Sequence, residues 1–171
     1  MKTIYKTTSP KSKLPWGKKG EHLVVLQFVL LITFIFLPVY PVCSDSKLFK
    51  MLTVLRWTVL SISWIIAAIF LTLGLEKIKH SLTPLPYPVD HNQLVTTGIY
   101  AYVRHPLYSC FLFASFGWAV FQVSLSHLIM TALCVLFFSY KAAREEVWPT
   151  ERHPEYAEYK HLVKKFIPWI Y

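Results

Sequence analysis

The chain has 171 residues, of which 54% are hydrophobic and 16% are charged, and its mean hydropathy is +0.41. A soluble domain of this size rarely combines so much apolar content with so few charges, so the composition favours an integral membrane protein. The formal net charge of +9 indicates basic loops that face anionic membrane lipids. Nucleic-acid binding is not expected, because no basic helix is interleaved with stacking aromatic residues.

The first half of the chain predicts a basic arm followed by two membrane spans. Residues 1–22 form the arm, which carries six lysines. Apolar stretches at 23–40 and 51–75 each reach the length of about 17–25 residues that crosses a bilayer, and a short polar loop at 41–50 joins them. The first stretch ends at prolines rather than at a small-residue cleavage site, which favours a retained helix over a cleaved signal peptide.

The second half predicts two further spans. Residues 76–93 are polar, and their alternate prolines favour an extended segment. Apolar stretches at 107–121 and 125–140 follow, and only Gln122-Val123-Ser124 separates them. Such a short connection predicts a tight antiparallel helical hairpin. The expected fold is therefore all-α, a polytopic membrane domain with about four transmembrane helices in one domain covering 1–171.

The end of the chain predicts a helix outside the bilayer. The fourth span should continue into water through Arg144-Glu145-Glu146. Residues 151–163 predict an amphipathic helix with Tyr156, Tyr159 and Leu162 on one face, where the tyrosines are expected to pack. The aromatic tail at 166–171 is expected to dock at the membrane interface.

Lysine and arginine counts predict the orientation. The arm and the segments 76–105 and 141–171 hold 15 of these residues, whereas the opposite side holds three and the hairpin tip none. By the positive-inside rule both termini and the C-terminal helix are cytoplasmic, in a bacterial inner membrane or an endoplasmic reticulum.

Several isolated residues are interpreted as structural. The three cysteines have no metal spacing, and Cys110 and Cys134 are predicted to be buried thiols because they lie in apolar stretches. Arg56, near one end of the second span, is expected to snorkel to the interface, and Trp64 to pack on another helix. Five further histidines have no metal spacing and are expected at the surface or interface: His22, His80, His127, His153 and His161.

One fifteen-residue stretch, Leu94–Tyr108, carries the strongest functional signal and reads LVTTGIYAYVRHPLY. Gly98 permits a turn, and Pro106 suits the first turn of a helix. Arg104 and His105 stand just before that helix, whose free N–H groups and positive dipole end suit an anion. The sequence therefore predicts a polar site at a helix entrance into the membrane.

This stretch resembles the cofactor motif of the isoprenylcysteine carboxyl methyltransferase family, which related phospholipid methyltransferases share in part. A second block, made of Glu145-Glu146, Tyr156-x-x-Tyr159 and Phe166-Ile167-Pro168, is similar to that family's C-terminal block. The resemblance implies a membrane methyltransferase with its core at 76–171. It implies S-adenosyl-L-methionine as cofactor and a lipid-like or small apolar acceptor that offers a carboxylate, thiol or amine.

The resemblance also implies the site residues. The implied cofactor-binding residues are Asn92, Leu94, Val95, Tyr100, Arg104, His105, Pro106, Tyr108 and Glu145. The implied catalytic residues are Arg144, Glu145 and Glu146, and either glutamate could meet the ammonium of the cofactor. The pattern departs from the family at three places. Asn92 stands where a histidine is usual, and Arg152-His153-Pro154 occupies the region where a Phe-Gly pair is common. Lys141 stands one turn before the acids, where an arginine is expected.

Two other functions remain open on the sequence. Sterol and steroid reductases that use a nicotinamide cofactor have a similar core, with an Arg-His-Pro-Asn-Tyr-like motif and an aromatic tail, but Leu107 replaces the asparagine here. A small non-enzymatic membrane subunit is the third possibility. The convergence of polar groups at one helix entrance favours an enzyme over such a subunit.

Overall fold

The computed structural model describes residues 20–41, 46–78 and 94–171. Within these ranges the chain is all-helical, with two isolated β-bridges and no sheet. The α-helices are α1 (Glu21–Phe36), α2 (Ser46–Met51), α3 (Thr53–Ile78), α4 (Pro106–Phe121), α5 (Leu125–Glu145), α6 (Val147–Arg152) and α7 (Tyr156–Leu162), and a 3₁₀ helix covers Gly98–Ala101. Most of the basic arm and the segment 79–93, which contains Asn92, lie outside the described residues.

The helix boundaries in the first half differ from the predicted spans. Helix α1 has 16 residues and ends before Leu37, which is extended because the following Pro38 disfavours the helical region for the residue before it. The predicted polar loop at 41–50 contains most of α2. Helix α3 continues to Ile78, so the predicted irregular segment begins later than residue 76.

Two helical runs are long and apolar enough to cross a membrane by length and composition: α3, and the run 125–152 that comprises α5 and α6. The core helix of a soluble protein can satisfy the same criterion. In these two runs, however, only 22% and 33% of the apolar window is buried inside the protein, so most of their apolar side chains face outward. Helices α1 and α4 are apolar but have 16 residues each.

Small residues allow α3 and α4 to pack closely. A Cβ added at Gly117 of α4 would lie only 2.7 Å from the Cβ of Ser63 in α3. A Cβ added at Gly74 would lie 3.2 Å from Cγ of Pro106, at the start of α4. Close approach at small residues is a common packing mode of helices in lipid, because no hydrophobic force drives the helices together there. Gly74 therefore allows the N-terminus of α4 to lie close to α3, and Gly117 allows the same close approach near the other end of α4.

The predicted hairpin of α4 and α5 is present, with its turn at Gln122–Ser124. Because the two helices are antiparallel, the N-terminus of α4 lies beside the C-terminus of α5. A core cluster fills the space between α5 and the C-terminal tail. Its buried members are Met130, Cys134, Phe138, Ala142 and Phe166.

Two polar side chains predicted to reach the surface or interface are buried instead. Arg56 is 7% exposed, and its Nε donates to the carbonyl of Phe121, at the negative end of the α4 dipole. Its guanidinium carbon also lies 3.6 Å from the centroid of the Phe49 ring, a cation–π contact. His127 is 2% exposed, and its Nδ1 lies 2.8 Å from the hydroxyl of Ser124. Both side chains find hydrogen-bond partners inside the protein, which is what makes their burial tolerable.

The single C-terminal helix predicted over 151–163 is wrong. Helix α6 ends at Arg152 and α7 begins at Tyr156. The break occurs at His153, which is extended because it precedes Pro154. The predicted shared face is also only partly formed, since Tyr156 is buried whereas Leu162 is 74% exposed.

Candidate functional site

The start of α4 and the end of α5 meet through a buried ion pair. Nε of Arg104 donates to Oε1 of Glu146 at 2.9 Å, and Nε2 of His105 lies 3.0 Å from the same oxygen. The side chains of Arg104 and Glu146 are only 6% and 1% exposed. The antiparallel hairpin makes these contacts possible. Glu146 is 42 positions after Arg104 and 41 positions after His105 in the sequence, and the hairpin brings all three residues to one end of the protein.

Residues of the C-terminal region supply the remaining hydrogen bonds and ion contacts of this pair. Nη1 of Arg104 donates to the carbonyl of Lys160 at 3.0 Å and to the carbonyl of Val163. The ammonium of Lys160 lies 3.4 Å from Oε2 of Glu146, an oxygen that is buried and accepts no hydrogen bond from the described residues. Glu146 is therefore surrounded by three cationic or cation-forming groups and is closed off from solvent.

Backbone contacts hold the chain after α7 against the start of α4. The amides of Arg104 and His105 donate to the carbonyls of Lys164 and Lys165 at 2.9 and 3.1 Å. The hydroxyl of Ser109, which is fully buried, donates to the carbonyl of Phe166 at 2.8 Å. The C-terminal segment is thus a structural wall of this site.

Glu145 has a different environment from its neighbour. Its Oε1 accepts a 2.7 Å hydrogen bond from the hydroxyl of Tyr108, and Nδ1 of His105 lies 3.7 Å from Oε2. The ammonium of Lys141, one turn earlier on α5, is 3.8 Å from Oε1. The Glu145 side chain is 20% exposed, so this carboxylate can accept a further hydrogen bond from a bound molecule.

Aromatic rings line the site beside Glu145. The rings of His105 and Tyr108 are stacked, with centroids 5.4 Å apart and planes 5° apart. Tyr108 also stacks on Phe138 at 4.7 Å. The ring of Phe166 meets His105 and Tyr108 edge-on, at 6.1 and 6.4 Å. The ammonium of Lys141 lies 5.3 Å from the centroid of Tyr108, so this ring already attracts a cation through its π-face.

The ionisation of Glu146 follows from its contacts. Burial alone would raise its pKa, but hydrogen bonds from His105 and Arg104 and the positive charges of both groups lower it to about 2. Glu146 lies beyond the apolar stretch 125–140 and is ionised at neutral pH. Burial also raises the pKa of Tyr100 to about 12, while the hydroxyl of Tyr159 donates to the Tyr100 carbonyl at 2.6 Å. Tyr159 therefore connects α7 to the 3₁₀ helix through a hydrogen bond.

The structure brings together five of the site residues predicted from the sequence, namely Arg104, His105, Tyr108, Glu145 and Glu146. Pro106 is the first residue of α4, as predicted. Leu94, Val95 and Tyr100 are half-buried in the segment that leads to this helix. Arg144 is exposed on α5, and among the described residues it forms no hydrogen bond or ion pair with the cluster.

Two lysines in the cluster were not among the predicted site residues. Lys141 is 3% exposed, and its ammonium donates to the amide oxygen of Gln27 in α1. Its spacing of four residues from Glu145 was a usable signal, because such pairs share a helix face. Lys160 gave no comparable signal, since its contact with Glu146 depends on the path of the chain after α6.

The fold and the cluster define a helical protein with candidate membrane spans and a buried polar site where two helix ends meet. The family model of the isoprenylcysteine carboxyl methyltransferases (ICMT) matches residues 59–148, which is more than half of the chain and includes the cluster residues on α4 and α5. The chain belongs to this family.

Two curated relatives are similar to part of the chain, and one of them carries a name from the same family. Over 91 residues the chain is 34% identical to protein-S-isoprenylcysteine O-methyltransferase of Dictyostelium discoideum, covering 48% of this chain and 35% of that protein. Over 79 residues it is 34% identical to the cobalt-zinc-cadmium resistance protein CzcN of Cupriavidus metallidurans, covering 46% and 37%. The chain thus matches little more than a third of the length of these curated relatives.

A solved structure supports the fold. The eukaryotic intramembrane Ras methyltransferase ICMT superposes with a TM-score of 0.61, covering 88% of this chain and 52% of that one at 21% identity. The helical arrangement is therefore that of the ICMT fold. None of these comparisons supports the reductase alternative.

Proposed function

We propose that this protein is an integral membrane methyltransferase that uses S-adenosyl-L-methionine and methylates a lipid-like or small apolar acceptor. The observation that carries the proposal is the partly exposed carboxylate of Glu145, hydrogen-bonded to Tyr108 inside the motif of a methyltransferase family. Two relatives are named for methylation of an isoprenylcysteine and of Ras, and these names support a lipid-like acceptor.

The chemistry of the cluster fits this cofactor. The amino acid part of S-adenosylmethionine offers an ammonium, and Glu145 has an accessible carboxylate that suits it. The ring of Tyr108, which already lies 5.3 Å from the Lys141 ammonium, attracts a cation such as a sulfonium, worth about 0.5–2 kcal/mol. When bound, the cofactor supplies a methyl group that its sulfonium already activates, so the protein must mainly bind, orient and exclude water.

The two glutamates then have separate tasks. Glu145 binds the cofactor, whereas Glu146 has its hydrogen bonds committed to Arg104 and His105 and is a positioning residue. Through His105, Glu146 fixes one ring of the aromatic stack. An acceptor that is an ionised carboxylate or thiolate needs no base. An amine acceptor would need one, and we propose Glu145 for this role.

The proposal extends to the membrane arrangement. Four helices, α1, α3, α4 and α5, cross the bilayer, and both termini are cytoplasmic. The positive-inside count supports this orientation, and the outward-facing apolar surface of α3 and α5 supports the crossing itself. The site then lies at the cytoplasmic membrane edge, where a soluble cofactor arrives from water and an apolar acceptor arrives from lipid.

Calorimetric titration of the purified protein tests the proposed activity at the level of binding. We expect S-adenosylmethionine and S-adenosylhomocysteine to bind and NADPH not to bind. Glu145→Gln should weaken this affinity roughly 10–100-fold, the value of a charge-assisted hydrogen bond. The matched control is Glu158→Gln on the exposed surface of α7, which should leave affinity unchanged.

Two outcomes would refute parts of the proposal. Binding of NADPH alone would reverse the choice between methyltransferase and reductase. Unaltered affinity of a folded Glu145→Gln variant would show that the cofactor ammonium binds elsewhere.

A further inference from the structure

The C-terminal tail, residues 166–171, forms a compact turn with two distinct sides. The amides of Phe166 and Ile167 both donate to the carbonyl of Tyr171 at 2.7 Å, which closes the turn. Inside the turn Phe166 is 1% exposed, whereas Trp169 and Ile170 are 82% and 76% exposed. The turn therefore buries one aromatic ring against the site and presents two large apolar side chains outward.

The conformation of Trp169 is unusual. Its φ of 63° lies in the left-handed region, which is unfavourable for a bulky residue other than glycine. The ring of Trp169 meets that of Tyr102 edge-on at 6.2 Å, but most of the indole remains uncovered. An unfavourable backbone that displays an uncovered tryptophan suggests a role for that exposure.

Contacts with α5 define the level of the tail relative to the apolar surface. The hydroxyl of Tyr171 donates to the hydroxyl of Ser139 at 3.1 Å, and the ammonium of Lys165 donates to the carbonyl of Ser139 at 3.4 Å. Ser139 is six residues before Glu145, or about 9 Å along a helix, and lies within the apolar stretch 125–140. The tail is therefore on the apolar side of the site rather than on its aqueous side.

We propose that the tail inserts into the headgroup–acyl boundary of the phospholipid leaflet at this end of the protein. Tryptophan is favoured at this boundary because its ring is amphipathic. Lys164, which is exposed, and Lys165 lie beside the tail, and no acidic residue occurs from 159 to 171, so the charge suits an anionic leaflet. This inference rests on the proposed crossing of the membrane by α5.

Insertion of the tail would also affect the candidate site. Phe166 is the buried end of the tail, and its ring contacts the rings of His105 and Tyr108. Lipid that holds Trp169 and Ile170 in place would therefore hold Phe166 against the site. One wall of the site is then anchored in the bilayer.

Fluorescence quenching by brominated lipids tests the insertion. The full-length protein is reconstituted in phosphatidylcholine–phosphatidylglycerol vesicles whose acyl chains carry bromine near the headgroup or near the chain end. The contribution of Trp169 is obtained as the difference between wild type and Trp169→Phe, a mild change at an exposed position. We expect the difference signal to be quenched most by the bromine nearest the headgroup, since interfacial segments are buried about 5–10 Å into this boundary.

A second difference separates this inference from the membrane proposal. Trp64 is 51% exposed in the middle of α3, so the difference signal from Trp64→Phe should be quenched most by bromine near the chain end. If the Trp64 signal is quenched and the Trp169 signal is insensitive to both lipids, the tail faces water and the inference is wrong. If neither signal is quenched, the proposed membrane crossing fails as well.

Discussion

Replacing Glu146 by glutamine is expected to destabilise the fold more than the same change at Glu145. The two residues are adjacent and the substitution is isosteric, so side-chain volume and helix position are matched. The environments differ: the Glu146 side chain is 1% exposed and that of Glu145 is 20% exposed. The difference between the two variants therefore measures how much burial and contacts add to the contribution of one negative charge to the free energy of unfolding.

The structure gives the size of the expected difference. Oε1 of Glu146 interacts with Arg104 and His105, and loss of the charge weakens each hydrogen bond by about 1 kcal/mol. An amide group would also place donor N–H groups toward the Lys160 ammonium, which has no acceptor. We expect Glu146→Gln to cost about 2–3 kcal/mol. Glu145→Gln should cost less than about 1 kcal/mol, because an amide oxygen can still accept the hydrogen bond from Tyr108.

Reversible unfolding in mixed detergent micelles, followed by circular dichroism, measures both free energies of unfolding. In the calorimetric titration, by contrast, Glu145→Gln should lose cofactor affinity although it loses little stability. Equal destabilisation by the two substitutions would refute the reasoning. A larger loss at Glu145 would mean that Glu145, and not Glu146, holds the two helix ends together.

Two further predictions follow from the same contacts. Gly117→Ala should cost about 1–3 kcal/mol of stability, because the new Cβ would lie 2.7 Å from Cβ of Ser63. Adding Ser63→Gly to the same protein should restore most of this loss. A double variant no more stable than Gly117→Ala would contradict close packing at this point. The folded pKa of Glu146 is lowered to about 2 from an ordinary 4.5, so its contribution is complete above the ordinary pKa and is lost as the pH falls toward the folded one. The stability difference between wild type and Glu146→Gln should therefore shrink between about pH 5 and pH 2, and a constant difference would exclude this source of stability.

The helical hairpin could be predicted because its signals are local. Two apolar stretches with three residues between them allow little besides antiparallel helices, and Pro106 marks the start of α4. Once the hairpin is assigned, residues before α4 and residues at the end of α5 must lie at the same end of the protein. The contact between Arg104 and Glu146 is a consequence of that topology, so it could be predicted from the sequence.

The region after α5 was less predictable because two local signals conflict. The spacing of Tyr156, Tyr159 and Leu162 favours one amphipathic helix, whereas Pro154 restricts the residue before it. The restriction prevails in the structure, where His153 is extended and separates α6 from α7. The resulting change of direction brings Lys160 to Glu146, a contact between distant elements that no spacing in the sequence encodes.

The sequence also did not predict which single polar residues are buried. Arg56 was expected at the interface because charged side chains in spans usually reach it. In the structure its guanidinium meets the Phe121 carbonyl and the Phe49 ring instead. This outcome depends on where the α4 C-terminus lies relative to α3, which is a property of tertiary packing.

The charges at the site oppose the dipoles of their own helices. Arg104 and His105 stand at the positive N-terminus of α4, and Glu145 and Glu146 stand at the negative C-terminus of α5. Each placement is unfavourable within an isolated helix. Pairing across the hairpin offsets both, because each helix end meets charges of the opposite sign. Stability alone could be obtained with the reverse arrangement of charges, so the observed one is better explained by the proposed cofactor, whose ammonium needs a carboxylate such as that of Glu145 at this end of the hairpin.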